Sequence, residues 1–309
     1  MNVATAAAAT RGLLLTQAGQ AGCALRWDAA GQCWRWPDPA GSHLYAWPAA
    51  PAAPGGLRMS EGAQVMACCE SGRLLLGLGK RLGMVELPQP GQPGRALQAQ
   101  VLLTVDPAEP RTSISDGCAD RHGNFVFGTA NTAQDQRPIG SFYQYSRRYG
   151  LRRLALPAVV KASSIAVSPD GGTLYFADAA RGALMQCDYD AERAKVGNTK
   201  AFAALVAPGA GAAITDSLGN LWSVQGEGGL LVHYDRAGAV LRQLAPTPEA
   251  ASALAFGGDG LAQLLVLGAR GGLYGVPPDG AGKLAPGVAD GLFDDGGSAS
   301  TTVTHAQSD

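Results

Sequence analysis

Long apolar runs are missing from this chain. None approaches the ~18 residues of a membrane-spanning helix, so no span is expected. Charge is sparse: Asp, Glu, Lys and Arg make up 16% of 309 residues, and the formal net charge is -1. With no basic stripe, neither nucleic acid nor an anionic lipid surface is expected as a partner. Six cysteines include the adjacent pair Cys68-Cys69 but no C-x-x-C spacing, so no zinc site is signalled. Cys23, Cys33, Cys118 and Cys187 each lie in or beside a different strand. They read as small buried thiols in a reducing cytoplasm. The opening M-N-V-A-T-A-A-A-A-T-R-G lacks a basic region ahead of an apolar core and does not read as a secretory leader.

Turn formers, by contrast, are plentiful: Gly 43 and Pro 19, as a fold with many tight turns requires. Between them one phrase recurs. G-Q-C-W-R-W from Gly31, G-R-L-L-L-G from Gly72, G-N-F-V-F-G from Gly123, G-T-L-Y-F-A from Gly172, G-N-L-W-S-V from Gly219 and the looser L-A-Q-L-L-V from Leu261 are each a turn residue and a short apolar strand. A second strand follows each, at His43, Gly83, Ser141, Ala183, Leu230 and Gly272. The spacing of roughly 40–50 residues is the blade period of a β-propeller. The expected fold is therefore all-β, a six-bladed β-propeller over residues 11–287. Residues 1–10 read as a flexible start, the Pro/Ala stretch from Pro48 as a linker, and 288–309 as a disordered tail poor in apolar residues. Some such folds close the ring by pairing both chain ends in one blade, so the strand at Leu13 is expected in the same blade as the one at Leu273.

The phrases between strands add a resemblance. S-S-I-A-V-S-P-D-G-G-T-L-Y-F-A-D, Ser163 to Asp178, resembles N-G-I-A-F-S-P-D-G-x-T-L-Y-x-A-D of the senescence-marker-protein (regucalcin), gluconolactonase and luciferin-regenerating-enzyme family. S-D-G-C-A-D-R-H-G-N-F-V-F-G-T from Ser115 resembles its N-D-G-x-x-D-x-x-G-x-x-W-x-G-T, and A-L-A-F-G-G-D-G-L from Ala253 its F-G-G-x-D-L. The resemblance covers nearly the whole chain. It implies a propeller whose channel mouth holds a divalent metal on a Glu, an Asn and an Asp, with a further Asn and an Arg for the substrate. Such a metal polarises a lactone carbonyl and activates water, and the Asp takes a proton.

Carried over residue by residue, that site is degenerate here. G-C-A-L-R-W-D from Gly22 stands where the family has G-E-G-P-x-W-D, so the Glu position is Cys23. The Asn of N-D-G falls on Ser115, with Asp116 and Gly117 retained. The Arg position is Ser113, with Arg111 as the nearby substitute. The Asn of N-G-I-A falls on Ser163, and the metal-binding Asp on Gly211. A hard cation needs oxygen ligands and negative charge, and zinc needs three or four ligands, so no metal and no cofactor is expected. His43, His122, His233 and His305 fall in strands, a turn and the tail, away from the axis.

Three functions stay open: a lactone or carboxylic-ester hydrolase with altered chemistry, a metal-free isomerase or cyclase, and a catalytically inactive binder. Each takes a small molecule at the propeller axis, and the smaller side chains suit a larger or less polar ligand than a sugar lactone. Cys23 as nucleophile needs a base or cation to form thiolate, and neighbouring Asp116 works against that. The catalytic residues are unknown. Ser115 and Ser163 read equally as turn hydroxyls satisfying backbone groups, Asp116 as a loop-anchoring carboxylate, and Gly211 as a tight-turn residue.

Overall fold

The computed structural model describes residues 13–15, 23–48, 56–88, 96–245, 249–278 and 284–297. Strand β1 (Leu13–Leu15) comes first. Blade 1 is β2 (Arg26–Asp28), β3 (Cys33–Asp38), β4 (His43–Trp47) and β5 (Leu57–Arg58). Blade 2 is β6 (Val65–Cys68), β7 (Leu74–Leu78), β8 (Arg81–Val85) and β9 (Gln100–Thr104). Blade 3 is β10 (Thr112–Ala119), β11 (Phe125–Asn131), β12 (Phe142–Ser146) and β13 (Gly150–Arg153). Blade 4 is β14 (Ala162–Val167), β15 (Thr173–Asp178), β16 (Ala183–Asp190) and β17 (Lys195–Ala204). Blade 5 is β18 (Ala210–Thr215), β19 (Leu221–Gln225), β20 (Leu230–Tyr234) and β21 (Val240–Leu244). Blade 6 is β22 (Ala251–Gly257), β23 (Gln263–Gly268) and β24 (Leu273–Gly275). Its fourth strand is β1, with Leu13 opposite Tyr274 and Leu15 opposite Leu273. The ring closes as expected, by pairing the two ends of the chain in one blade.

The recurring strand pairs of the sequence are the two middle strands of each blade, where apolar residues follow one another closely because both faces are covered. The innermost and outermost strands are less conspicuous. Outer β9 and β21 are largely exposed, and inner β14, β18 and β22 are built of Ala, Ser and Gly as much as of Val, Leu or Ile. Inner strands stand close to one another around the axis, so small side chains fit there. Gly128 shows how tight the approach is: an added Cβ would overlap that of Ala162 on the next blade.

The core lies between the blades. Phe125 and Phe127 of blade 3 pack with Val65, Leu75 and Met84 of blade 2. Val126 and Phe142 pack with Ile165 and Phe176 of blade 4. Trp34 and Trp36 of blade 1 meet Ala253, Leu265 and Leu273 of blade 6. Each fully buried side chain of this size contributes about 1.5–3 kcal/mol, so the ring is held by its seams.

One device recurs where an inner strand turns into the next. Asp120 accepts the N–H groups of His122 and Asn124 and the Asn124 amide. Asp216 does the same for Leu218, Asn220 and the Asn220 amide, and also takes His233 Nε2 at 3.2 Å. The His233 ring stacks on Trp222 at 4.1 Å. Burial pushes the Asp216 carboxyl up, but the hydrogen bonds from His233 and Asn220 outweigh it and hold the group below its ordinary 3.8. A carboxyl depressed by folding stabilises fully above its unfolded value and loses that contribution as pH falls through the folded one. Asp216→Asn is therefore expected to cost about 1–3 kcal/mol near neutrality. That gap from the parent should narrow as urea melts are taken to more acidic pH, below the ordinary 3.8. A gap that stays constant into that range would show that the charge is not involved.

The expectation of a disordered tail from residue 288 fails for residues 288–297. Gly287 bridges to Asp216 of blade 5, and Phe293 bridges to Cys69 of blade 2. Phe293 is buried in the seam between blades 2 and 3. Asp295 is buried and ion-paired with Arg73 at 2.6 Å, and also accepts from the Ser71 hydroxyl. Composition misled because few apolar residues are needed when one aromatic and one carboxylate each find a prepared socket. The segment crosses the end of the channel at which inner strands turn outward. Residues 298–309, the start at 1–10 and the linker beyond Pro48 lie outside the described residues.

Candidate functional site

The opposite end of the channel is formed by the beginnings of the inner strands. Four of them break register at that point: between Ile114 and Asp116, Ser163 and Ala166, Ala210 and Ala213, and Ala251 and Ala253. Such β-bulges re-aim side chains at rims and sites. Ser164, in the second bulge, has a φ of 54°, a left-handed conformation that short polar side chains tolerate better than branched ones.

The bulges are stitched to one another. The Ser115 hydroxyl donates to Ala162 O at 2.8 Å, and the Ser164 hydroxyl to Gly211 O at 2.8 Å. Asp116 accepts the Gly117 N–H at 2.8 Å and, across the blade boundary, the Ile165 N–H at 2.9 Å. Ser115, Asp116, Ser163 and Gly211 thus stand together on blades 3, 4 and 5. Cys23 joins from blade 1, its thiol donating to Ala63 O at 3.5 Å and within the fields of Asp116 and Arg26. Ser113 donates to Gly79 O of blade 2 at 3.2 Å. The proposed substitute Arg111 is held elsewhere, by Glu109 at 2.7 Å and Asp135 at 3.3 Å.

The chemistry of each group follows from its surroundings. Burial pushes the Cys23 thiol up to about 12, reinforced by Asp38 and Asp116 and opposed by Arg26. That shift favours the protonated thiol, which here serves as a donor. Burial also raises the Asp116 carboxyl, against its two N–H donors and the charge of Arg26. Ser115 satisfies a backbone carbonyl as expected, but from a strand bulge, not a turn. Ser163 does not: its hydroxyl is buried without a partner. Gly211 likewise serves a bulge, and a Cβ added to it would sit 3.2 Å from Val224 O.

These donors do not suit a divalent cation. At the three positions the resemblance assigns to ligands stand a protonated thiol, one neutral hydroxyl and no side chain, whereas Ca²⁺ or Mg²⁺ takes carboxylate and carbonyl oxygens. Among the described residues no cluster of three or more His, Cys, Asp or Glu is arranged to hold a metal.

Two contributors escaped the sequence reading. Ser164 sits beside Ser163 and ties blade 4 to blade 5. Arg26, on the innermost strand of blade 1, donates from Nη2 to Gly117 O of blade 3 at 2.7 Å. Its one signal was a cation inside the phrase L-R-W-D, where flanking residues are apolar.

The pattern of blades and phrases agrees with comparison to known proteins. Residues 21–270 match the SMP-30/Gluconolactonase/LRE-like region. The chain belongs to that family. L-arabinolactonase of Azospirillum brasilense is 34% identical over 203 residues, which span 65% of this chain and 64% of that enzyme's length. Regucalcin of Agrobacterium tumefaciens, a calcium-binding protein, superposes with a TM-score of 0.77 at 19% identity, covering 92% of this chain and 98% of its own. A luciferin-regenerating enzyme gives 0.75 at 19% identity with the same coverage. At that identity the likeness of these two structures concerns the fold.

Proposed function

We propose that this member of the family binds a small molecule at the channel mouth ringed by Cys23, Ser113, Ser115, Asp116, Ser163 and Gly211, without a divalent metal and without metal-dependent lactone hydrolysis. One observation carries the reading: apart from the orphan Ser163 hydroxyl, the polar side chains there are engaged with backbone. Cys23 and Ser115 donate to carbonyls, and both oxygens of Asp116 hold N–H groups. Nothing in this set activates water or a nucleophile. The missing Glu, Asn and Asp side chains leave room for a ligand larger or less polar than a sugar lactone.

A second reading keeps catalysis. Asp116 would act as general base in a metal-free hydrolase of lactones or carboxylic esters. Its upward-shifted carboxyl and the L-arabinolactonase relative favour this reading, since a useful base titrates near the working pH. A panel of sugar and aromatic lactones with their ring-opened acids separates the two. Binding alone raises the melting temperature with no turnover, a ligand at 100 times its Kd adding about 2.7 kcal/mol. Chelator-resistant hydrolysis abolished in Asp116→Asn supports the second reading. Chelator-sensitive hydrolysis contradicts both.

A further inference from the structure

Arg26 is the residue whose placement no role above explains. It lies on β2, and its guanidinium reaches Gly117 O on β10. Blades 1 and 3 are not neighbours: β2 packs on β6, and β6 on β10. The side chain therefore crosses the channel interior. Nη1 donates to Leu25 O at 2.9 Å, and Nε stands 3.9 Å from Asp290 Oδ2 on the segment that closes the far end. Only 13% of the Arg26 side chain and 27% of that of Asp290 is exposed.

The guanidinium has one carboxylate on the plug side, Asp290, and a second, Asp116, within its field toward the mouth. The thiols of Cys23 and Cys118 feel the same charge. Exposed Lys161 also bears on Asp116, and Asp38 on Cys23. N–H donors neutralise no charge, and an enclosed carboxylate without a countercharge is costly, so two of them facing one channel call for a cation. A planar guanidinium serves well, because its fork reaches carbonyls and a carboxylate together.

We propose that Arg26 is the channel's own fixed cation: it compensates Asp116 and Asp290, excludes divalent metal, and its removal lets a divalent cation take its place. This rests on the metal-free reading above. Two carboxylates with the freed carbonyls of Gly117 and Leu25 are the hard oxygen donors that Ca²⁺ or Mn²⁺ accepts.

The test compares the parent, Arg26→Lys, Arg26→Met and Arg26→Met with Asp290→Asn, all stripped with chelator, in thermal melts with and without millimolar Ca²⁺, Mn²⁺ or Zn²⁺. Methionine keeps the unbranched stem and removes the charge. Arg26→Met is expected to melt lower than the parent without metal and to gain about 3–6 °C with Ca²⁺ or Mn²⁺ at ten times its Kd. The parent and Arg26→Lys should gain less than about 1 °C by the same measure, and the double variant should lose the cation response. If Arg26→Met does not fold, the double variant must recover stability in part, because one of the two orphaned carboxylates is gone; failure to recover any overturns the proposal. So does an Arg26→Met protein indifferent to all three cations while the parent is metal-free. Stoichiometric metal on the parent instead removes the metal-free reading and the inference with it.

Discussion

Phe293→Ala is expected to destabilise the protein by about 3–5 kcal/mol, lowering the melting temperature by roughly 6–20 °C. The side chain is 1% exposed, stacks on Tyr145 at 5.6 Å and fills the seam between blades 2 and 3. Its backbone is fixed too, with the N–H on Cys68 O at 2.9 Å and the carbonyl accepting from Glu70 at 3.1 Å. Truncation leaves a cavity that a closed ring cannot collapse around. The neighbouring Leu292, 44% exposed, provides the control: Leu292→Ala should fall within about 0.5 kcal/mol of the parent. Equal, small effects from both substitutions in thermal denaturation would mean that the segment merely rests on the propeller.

The second large effect concerns the mouth. Cys23→Glu, Ser163→Asn and Gly211→Asp together place two carboxylates and an amide at the mouth, one ahead of β2 and two on the bulges of β14 and β18. Divalent-metal affinity is expected to rise from no measurable binding into roughly the 10⁻⁵–10⁻³ M range, since charge count and site rigidity set the constant. Two features limit the gain. An added Cβ at residue 211 meets Val224 O at 3.2 Å, so the new Asp needs a small shift. Arg26 lies close enough to influence Cys23 and opposes an incoming cation. Adding Arg26→Met to the triple variant should therefore tighten binding by at least about tenfold. Isothermal titration of both variants measures this. No binding by either would mean that the bulges aim these side chains apart.

Much of the fold was legible because the middle strands of a blade are covered on both faces and write a dense apolar pattern. The two apolar strands of G-N-L-W-S-V and L-L-V-H-Y are β19 and β20, and the closure at Leu13 followed from the way some propellers pair both chain ends in one blade. Inner strands such as A-S-S-I-A-V and A-G-A-A-I-T were not legible as strands, because close approach at the axis selects small residues that look like loop. The bulges within them were equally hidden, which is why Gly211 read as a turn and Ser164 went unremarked. The tail was misread for a different reason. Disorder was inferred from average composition, whereas Phe293 and Asp295 each act through a single socket supplied by residues far away in the chain: Cys69 and Tyr145 for Phe293, Ser71 and Arg73 for Asp295. Arg26 was passed over because a cation in an apolar strand has meaning only once Gly117 and Asp290 are seen beside it.

Titration of chelator-stripped parent protein with Ca²⁺, Mn²⁺ and Zn²⁺ by calorimetry, with metal content measured after dialysis, tests the central claim most directly. The account predicts no saturable binding at the channel and well under one metal per chain, because Cys23, Ser163 and Gly211 supply no anionic oxygen and Arg26 already holds the positive charge. One metal per chain, lost on Asp116→Asn and accompanied by chelator-sensitive opening of a sugar lactone, would contradict it.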